Sequence, residues 1–361
     1  MTPSLTPPDT IHTLYKLCTT LPDRDKHAQH RIALREATLT KPAGSLGRLE
    51  TLTQWLGGWQ RRSHPQLNHI HVLVFAGNHG VTVQGVSPWS SDITAQMVHH
   101  FQRGGGAINQ IARIVGAKLT VICLENLRPT ADFTRAPAMT EDLFLKAIAT
   151  GFNAIPQECD LLCLGEMGIG NTTAAAAIAA ALTGQTGQDW AGQGSGLDDK
   201  QTLHKATVID KALHHHAPFL NTSLEMTPLE IARCLGGYEL AAILGATLAA
   251  RYKNVPVLLD GFVTLCAVAP LAMINPHGYG LAHTCLSHCT TLQGRTHTLA
   301  TSLGLDPLLL GLGLRLGEGS GAALAVSLLK AAVACHNGMA SFAEAGLSAS
   351  THSPNVDSQN L

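Results

Sequence analysis

Two glutamates stand beside glycines in segments where a side chain could meet a ligand directly. Glu166 lies in residues 165–173, and Glu318 lies between two glycines just before an apolar helix. A carboxylate in such a place can accept a proton from a reacting group, and glycines let a ligand approach closely. Glu318 can equally complement the positive end of the following helix or pair with Arg315, so its spacing alone leaves both roles open.

The turn that carries Glu166 is also a candidate phosphate site. It supplies Gly168 and Gly170, and Asn171 can cap the Ala-rich helix that follows. Backbone N–H groups at a helix N-terminus have no partner within the helix and bind anions. The segment matches neither the nucleotide P-loop nor the dinucleotide fingerprint Gly-x-Gly-x-x-Gly. A phosphate cradle and a structural turn are both compatible with it.

A second glycine-rich segment, residues 192–199, leads into a helix that carries Lys205. A lysine at this distance from a glycine-rich loop can neutralise a phosphate monoester. A flexible loop followed by a solvated helix face has the same pattern, and lysines are mostly exposed. The pattern leaves both interpretations open.

Short apolar runs alternate with helical stretches and indicate the elements that hold these turns. The predicted strands are HIHVLVFAG, KLTVICL, DLLCLG and VPVLLDG, and the clearest helical stretches are residues 93–115, 172–182 and 235–251. This alternation predicts an α/β fold, a Rossmann-like parallel sheet with helices on both faces. Ligands then bind beyond the carboxyl ends of the strands, where we expect the turns GNHGV, GEMGIGNTT, DGF and one near His283.

The chain ends differ from this pattern. Within residues 1–60, apolar positions recur at helical spacing, so we expect a small helical domain there, completed by part of the C-terminal region. Residues 61–345 then form the large α/β domain that carries the candidate site. Residues 346–361 are polar and predict a tail.

Composition excludes several classes of function. Lysine and arginine number 24 against 25 for aspartate and glutamate, so no positive field attracts nucleic acid. The longest strongly apolar run, residues 262–274, is shorter than the roughly 20 residues that span a bilayer, and we expect no membrane partner. The nine cysteines are scattered and odd in number, which favours reduced thiols in the cytoplasm over a disulfide scaffold or a metal site.

Nine segments in order along the chain resemble the nicotinate-nucleotide:dimethylbenzimidazole phosphoribosyltransferase family. They are KPAGSLGRLE, FAGNHGV with QGVS, DITAQMV, GGGAINQIAR, GEMGIGNTTAAAAI, GLDD, LGGYELAAI, PVLLDGF and LRLGEGSGAALA. The resemblance implies a homodimer that takes nicotinate mononucleotide and a benzimidazole base as substrates and needs no metal and no redox cofactor. It implies transfer of ribose 5-phosphate by direct displacement, in assembly of the lower nucleotide of cobalamin.

The resemblance also assigns roles to residues of these segments. It implies that Glu318 is the general base, that Glu166 lies beside it, and that Lys205 assists phosphate binding. Phosphate is expected at the turns of Gly168, Gly170 and Gly194. The other expected substrate-binding residues are Asn78, His79, Gly80, Gln84, Ser87, Met167, Asn171, Ser195 and Arg315.

Departures from the family pattern concern the acceptor base. Trp89 follows Pro88 where the family commonly has Tyr-Pro or Phe-Pro, and residues 287–297 lack the family's common arginine and Gly-His. We therefore expect Trp89 to alter the choice of base. One alternative function is a non-catalytic binding protein for a ribosyl-benzimidazole. The other is a dinucleotide-dependent oxidoreductase, which requires a fingerprint turn that does not follow the first strand.

Overall fold

The structure of the protein is a computed structural model that describes residues 5–194, 196–220, 227–276, 279–289, 294–309 and 312–348. The strands are β1 (Ile70–Ala76), β2 (Lys118–Cys123), β3 (Leu161–Met167), β4 (Val257–Leu259) and β5 (Thr284–Leu286). The helices are α1 (Ile11–Thr19), α2 (Lys26–Glu36), α3 (Arg48–Gln60), α4 (Asp92–Gln102), α5 (Ala107–Ile114), α6 (Glu141–Asn153), α7 (Asn171–Thr183), α8 (Gly187–Trp190), α9 (Asp199–Leu220), α10 (Thr227–Leu235), α11 (Tyr238–Tyr252), α12 (Phe262–Ile274), α13 (Arg295–Ser302) and α14 (Ser320–Gly338).

The five strands form one parallel sheet in the order β2-β1-β3-β4-β5. The register pairs Phe75 of β1 with Glu166 of β3, and Leu259 of β4 with Leu286 of β5. This confirms the predicted α/β fold. Because all the strands run the same way, their carboxyl ends lie at one edge of the sheet.

Three predicted boundaries were wrong. The stretch 93–115 is two helices, since α4 ends at Gln102 and α5 begins at Ala107, with Gly104 in the left-handed region at φ 79°. The stretch 235–251 is likewise divided, because α10 ends at Leu235 and α11 begins at Tyr238. The turn predicted at GEMGIG begins later, because pairing with β1 continues to Met167 and keeps Glu166 in the strand.

Small residues allow the helices around the sheet to pack backbone against backbone. A Cβ atom on Gly151 of α6 would overlap the carbonyl oxygen of Ala242 in α11. A Cβ atom on Gly245 would overlap the carbonyl oxygen of Ile148 in the same way. The Ala-rich helix α7 is buried along most of its length. These contacts hold the helices that flank the site at short distances from each other.

The chain divides into two compact units. The larger comprises the described residues up to Pro22 together with His69–Ala325, and the smaller comprises Asp23–Asn68 and the described residues from Val326 onward. The division into domains at residues 60 and 345 stays a prediction, and most of the predicted tail lies outside the described residues. No helix in the described part of the chain is long and apolar enough to cross a membrane.

The smaller unit contains a buried charge network. The Glu36 carboxylate lies 2.6 Å from the His336 Nδ1 atom and 3.0 Å from the Lys41 Nζ atom, and Lys41 also contacts Glu50 at 2.7 Å. The neighbouring carboxylates raise the pKa of Lys41 against the opposing effect of burial. The network therefore fixes α2 to the start of α3 within this unit.

Candidate active site

Turns from several strands meet at the carboxyl edge of the sheet within the larger unit. β1 leads into Gly77, β3 into Gly168, β4 into Asp260 and β5 into Ser287. The first three are turns that the sequence predicts. The fourth was expected near His283, which precedes β5 and lies at the other end of that strand. The segment before α14 joins them, because the Gly319 N–H donates to Asp260 Oδ2 at 3.1 Å.

Glu318 lies in a strained turn at this edge. Its φ is 65°, and the flanking Gly317 and Gly319 also have positive φ values of 85° and 82°. A side chain in the left-handed region costs on the order of 1 kcal/mol or more, so the surrounding structure must hold it there. Glu318 is 7% exposed, and its Oε2 atom has no hydrogen-bond partner among the described residues.

The electrostatics of Glu318 suit a proton acceptor. Burial raises the pKa of Glu318, while a hydrogen bond from the Ile108 backbone N–H and the nearby His100 act in the opposite direction. A carboxylate with a raised pKa and an unpaired oxygen can take a proton from a group placed against it. The structure thus places at this edge a carboxylate with the properties of a base.

Glu166 lies directly behind the same turn. A Cβ atom on Gly317 would stand 2.5 Å from Glu166 Oε1, so only glycine fits between the two glutamates. Asn171 Nδ2 donates to the other oxygen of Glu166. Burial raises the pKa of Glu166 to about 8, with further contributions from Asp260, Glu239 and Glu318 against the hydrogen bond from Asn171. Glu166 is therefore mainly a neutral acid near pH 7.

A cleft opens at the N-terminus of α7 beside these glutamates. Lys205 of α9 is 1% exposed, and its ammonium donates to Thr172 Oγ1 at 2.8 Å and approaches the Gly192 carbonyl at 3.4 Å. Burial and the nearby Arg295 lower the pKa of Lys205 to about 8. The cleft is lined by Val86, Ser87, Pro88, Gly168, Ile169, Gly170, Asn171, Thr172, Gln193, Gly194, Leu197 and Lys205. A buried cation beside the positive end of the α7 dipole makes this cleft suitable for an anion.

The cleft brings together six of the predicted substrate-binding residues. They are Ser87, Gly168, Gly170, Asn171, Gly194 and Lys205. Ser195 lies outside the described residues. Arg315 is exposed, and Met167 ends β3 with its side chain partly buried.

The predicted residues after β1 are bonded mainly to the protein itself. Asn78 Nδ2 donates to the Leu127 carbonyl at 2.9 Å, and Gln84 Nε2 donates to Asp132 Oδ2 at 2.6 Å. The Gly80 N–H donates to a neighbouring threonine hydroxyl at 3.1 Å. These contacts fix the turn that leads to Ser87, and they leave the buried Asn78 Oδ1 atom without a hydrogen-bond partner among the described residues.

His79 is also engaged within the protein. Its ring is fully buried, and its Nε2 atom lies 2.5 Å from Glu239 Oε1. A Cβ atom on Gly168 would stand 3.0 Å from the same oxygen, and one on Gly77 would stand 2.5 Å from Glu239 Oε2. The His79–Glu239 pair therefore packs against the turns after β1 and β3 and supports them.

The comparisons with known proteins agree along the chain. The model of a family described as "Phosphoribosyltransferase" matches residues 21–347. Nicotinate-nucleotide–dimethylbenzimidazole phosphoribosyltransferase of Mesorhizobium japonicum is 54% identical over 331 residues, which cover 92% of this chain and 96% of that protein. The protein of the same name from Ruegeria pomeroyi is 50% identical over 91% of this chain and 94% of its own length. The chain belongs to the nicotinate-nucleotide–dimethylbenzimidazole phosphoribosyltransferase family.

A solved structure of this family has the same fold. The phosphoribosyltransferase of Thermus thermophilus superposes with a TM-score of 0.80 at 35% identity, covering 90% of this chain and all of that one. The resemblance drawn from the sequence motifs is confirmed.

Sequence reasoning missed two buried acids of this family member. Asp260 is 1% exposed and accepts hydrogen bonds from the Gly319 N–H and, at 3.0 Å, from the Ala322 N–H. Burial raises the pKa of Asp260 to about 7 against these backbone hydrogen bonds. Its position directly after β4 was the available signal, since an acid at the carboxyl end of a strand faces the site edge. Glu239 gives no such signal, because it lies within the first turn of α11.

Proposed function

We propose that the protein transfers the 5-phosphoribosyl group of nicotinate mononucleotide to 5,6-dimethylbenzimidazole or a related base. The products are nicotinate and α-ribazole 5′-phosphate, an intermediate for the lower nucleotide of cobalamin. One observation carries the proposal beyond family membership. Glu318 is a buried carboxylate with a free oxygen, held in a strained turn where the strands end.

The leaving group needs little help from the protein. In nicotinate mononucleotide the anomeric carbon is bonded to a positively charged pyridinium nitrogen. When that bond breaks, its electron pair returns to the ring nitrogen, which becomes neutral without taking a proton. The enzyme therefore has to supply orientation and a base rather than a general acid.

Glu318 serves as the base in this proposal. One benzimidazole nitrogen attacks the anomeric carbon from the face opposite nicotinate, and the other nitrogen loses its proton to the Glu318 carboxylate. The displacement turns a β linkage into an α linkage without a covalent enzyme intermediate. A positioned base of this kind contributes about 10² to 10⁴ in rate.

We assign Glu166 a role different from that of Glu318. With a pKa raised to about 8, it holds its proton near neutral pH and can donate a hydrogen bond into the pocket. The proton of the attacking base then goes to the carboxylate that has an oxygen atom without a hydrogen-bond partner among the described residues. We assign that part to Glu318.

The cleft at α7 holds the phosphate in this proposal. The positive end of the α7 dipole, the turn of Gly168 and Gly170, and the Lys205 ammonium favour a phosphate monoester in this cleft. Phosphate binding far from the reacting carbon supplies energy that orients the ribose. Ser195 follows Gly194 in the same loop, and the family resemblance adds Arg315 to the expected substrate contacts.

The assembly and location follow from the same proposal. We infer a homodimer, which light scattering of the purified protein would test at the mass of one chain and of two. We also propose a cytoplasmic location, in keeping with nine cysteines that are all free thiols.

The deciding experiment mixes the purified protein with nicotinate mononucleotide and 5,6-dimethylbenzimidazole. Chromatography with mass detection follows nicotinate and the ribosyl-base phosphate. We expect both products in equal amounts. Nicotinate without adduct from any member of a panel of benzimidazoles, purines and phenols would indicate a hydrolase, and binding without reaction would favour the non-catalytic binding protein.

Glu318→Gln tests the base itself. The amide keeps the shape of the side chain but cannot accept the proton, so we expect turnover to fall by about 10² or more while nicotinate mononucleotide still binds. Glu158→Gln is the control, because Glu158 is a surface residue whose side chain is 78% exposed. Undiminished turnover of Glu318→Gln would refute the assigned role.

A further inference from the structure

Asp260 lies beneath the turn that carries Glu318. It follows β4 directly and is 1% exposed. Its Oδ2 atom accepts the Gly319 N–H at 3.1 Å, and its Oδ1 atom accepts the Ala322 N–H at 3.0 Å. One carboxylate thus binds the residue after Glu318 and the first turn of α14 together.

The turn needs such support. Glu318 and both of its neighbours have positive φ values, a conformation that an L side chain adopts only when its surroundings impose it. The first N–H groups of α14 have no partners inside the helix and carry the positive end of its dipole. A buried carboxylate that accepts them fixes where the helix begins, and Glu318 lies two residues before that point.

The turn is held from a second side by β3. A Cβ atom on Gly165 would overlap the backbone nitrogen of Gly319, so the strand and the turn are in direct backbone contact. Glu318 is therefore confined between a strand behind it and the Asp260 carboxylate below it. Neither contact uses an atom of the Glu318 side chain, which leaves its carboxylate available.

The other charged groups around Asp260 do not replace this function. Glu318 repels it as a second carboxylate, and Glu166, which holds its proton near neutral pH, supplies no opposite charge. The His288 Nε2 atom lies 3.7 Å from Asp260 Oδ1, which is too long for a hydrogen bond, and burial lowers the pKa of His288 and favours the neutral ring. The backbone amides of the Glu318 turn are thus the hydrogen-bond donors that the described structure gives to this carboxylate.

We propose that Asp260 is a positioning residue for the transfer reaction, which sets the position of the Glu318 carboxylate through the Gly319 and Ala322 amides. This inference rests on the proposed role of Glu318 as the base. Asp260 is not among the described residues that line the cleft at α7, so it acts without touching the substrate phosphate. It therefore affects the chemical step and not the binding of the phosphate.

Asp260→Asn is the first variant. An amide nitrogen cannot accept an N–H, so one of the two backbone donors loses its acceptor. Because a displacement of about 1 Å at a catalytic group can cost about 10²-fold, we expect kcat to fall about 10- to 100-fold. The KM for nicotinate mononucleotide should stay within about threefold. If Asp260→Asn only reduced the amount of folded protein, kcat would fall by the same factor with Glu318 and with Gln at position 318.

The test is a cycle of Asp260→Asn, Glu318→Gln and the double variant. Since Asp260 acts through Glu318, its substitution should change the residual kcat of Glu318→Gln by no more than about threefold. An equal fractional loss in both backgrounds would overturn the proposal, and so would an unchanged kcat in Asp260→Asn. If Asp260→Asn does not fold, Asp260→Ser, which keeps one acceptor, takes its place in the cycle.

Asp160→Asn is the matched control. Asp160 is also buried, at 7% exposure, and accepts a backbone N–H from His69 at 2.9 Å, but it precedes β3 at the opposite end of the strands. We expect it to cost stability without a loss of kcat per folded molecule. Full turnover of Glu318→Gln would refute the proposed role of Glu318 as the base. If Glu318→Gln is impaired and the effects of the two substitutions on kcat multiply in the double variant, only the proposed role of Asp260 is refuted.

Discussion

Lys205 should make the binding of nicotinate mononucleotide depend on pH. The buried ammonium has a pKa lowered to about 8 in the free protein, so it is a cation at pH 7 and mainly neutral at pH 9. The phosphate has its second pKa near 6 and stays a dianion over this range. Bound phosphate favours the charged lysine and raises its pKa, so affinity is complete below pH 8 and falls as the pH rises above it.

The magnitude follows from the protonated fraction. For a pKa of about 8 this fraction falls from about 0.9 at pH 7 to about 0.1 at pH 9, so Kd should rise about tenfold. Lys205→Met removes the cation and keeps the chain length. A charge-assisted hydrogen bond contributes about 1.5 to 3 kcal/mol, so this variant should bind about 10- to 100-fold more weakly at pH 7.

Calorimetric titration of both proteins with nicotinate mononucleotide at pH 7, 8 and 9 gives the required constants. Glu166 also has a pKa near 8, and any contribution from it remains in Lys205→Met. The difference between the slopes of log Kd against pH for the two proteins is therefore due to Lys205. Parallel slopes for wild type and Lys205→Met would refute the role of Lys205 in this pH dependence.

Three further substitutions test packing, charge and specificity. Gly151→Ala forces a methyl group into the backbone of α11, so the free energy of unfolding, measured in urea, should fall by about 1 to 3 kcal/mol. Gly338→Ala is the control, because there is open space around the position of its Cβ atom, and it should not lower this free energy. Glu166→Gln removes an acid whose pKa rises on folding, so the protein should gain a few kcal/mol of stability at pH 9 relative to wild type and little at pH 5. Equal gains at both pH values would exclude that cause. Trp89→Tyr alters a half-exposed ring next to the cleft residue Pro88, and the ranking of acceptor bases by kcat/KM should shift by about tenfold. An unchanged ranking would show that Trp89 does not select the base.

Four of the five strands were predictable, because each is a short apolar run that ends near a glycine or an acid. The strand β5, Thr284–Leu286, was not predicted, since it has three residues and is followed by a serine. The boundaries of the helices were less predictable. The break between α4 and α5 depends on Gly104 adopting a positive φ, and helical spacing continues through the glycines as if no break existed. The extension of β3 to Met167 depends on pairing with β1, which is a contact between distant segments.

Residues of the candidate site could be named from the sequence where a local motif contains them. They could not be named where contacts between distant segments form the site. From spacing alone, Lys205 resembles an exposed helix lysine, yet the fold buries it against Thr172, 33 residues away. Asp260 binds amides 59 and 62 residues further along the chain, and no local pattern indicates such a pairing. Hydrogen bonds of this kind exist only after the strands have been brought side by side.

Burial is the main effect on the pKa of the Glu318 carboxylate, and the nearby His100 acts against it. An exposed carboxylate with a pKa near 4.3 is a weak base toward the proton of a benzimidazole that is forming its new bond. Burial raises the pKa of Glu318, and Asp260 and Glu166 lie close behind its turn. In the proposed mechanism, proton transfer to Glu318 removes the negative charge that repels Asp260. The turn is held by the Gly319 N–H bond to Asp260 and by backbone contact with β3, and Glu318 is 7% exposed within it. In that mechanism, part of the cost of burying these acids together is offset in the step assigned to Glu318.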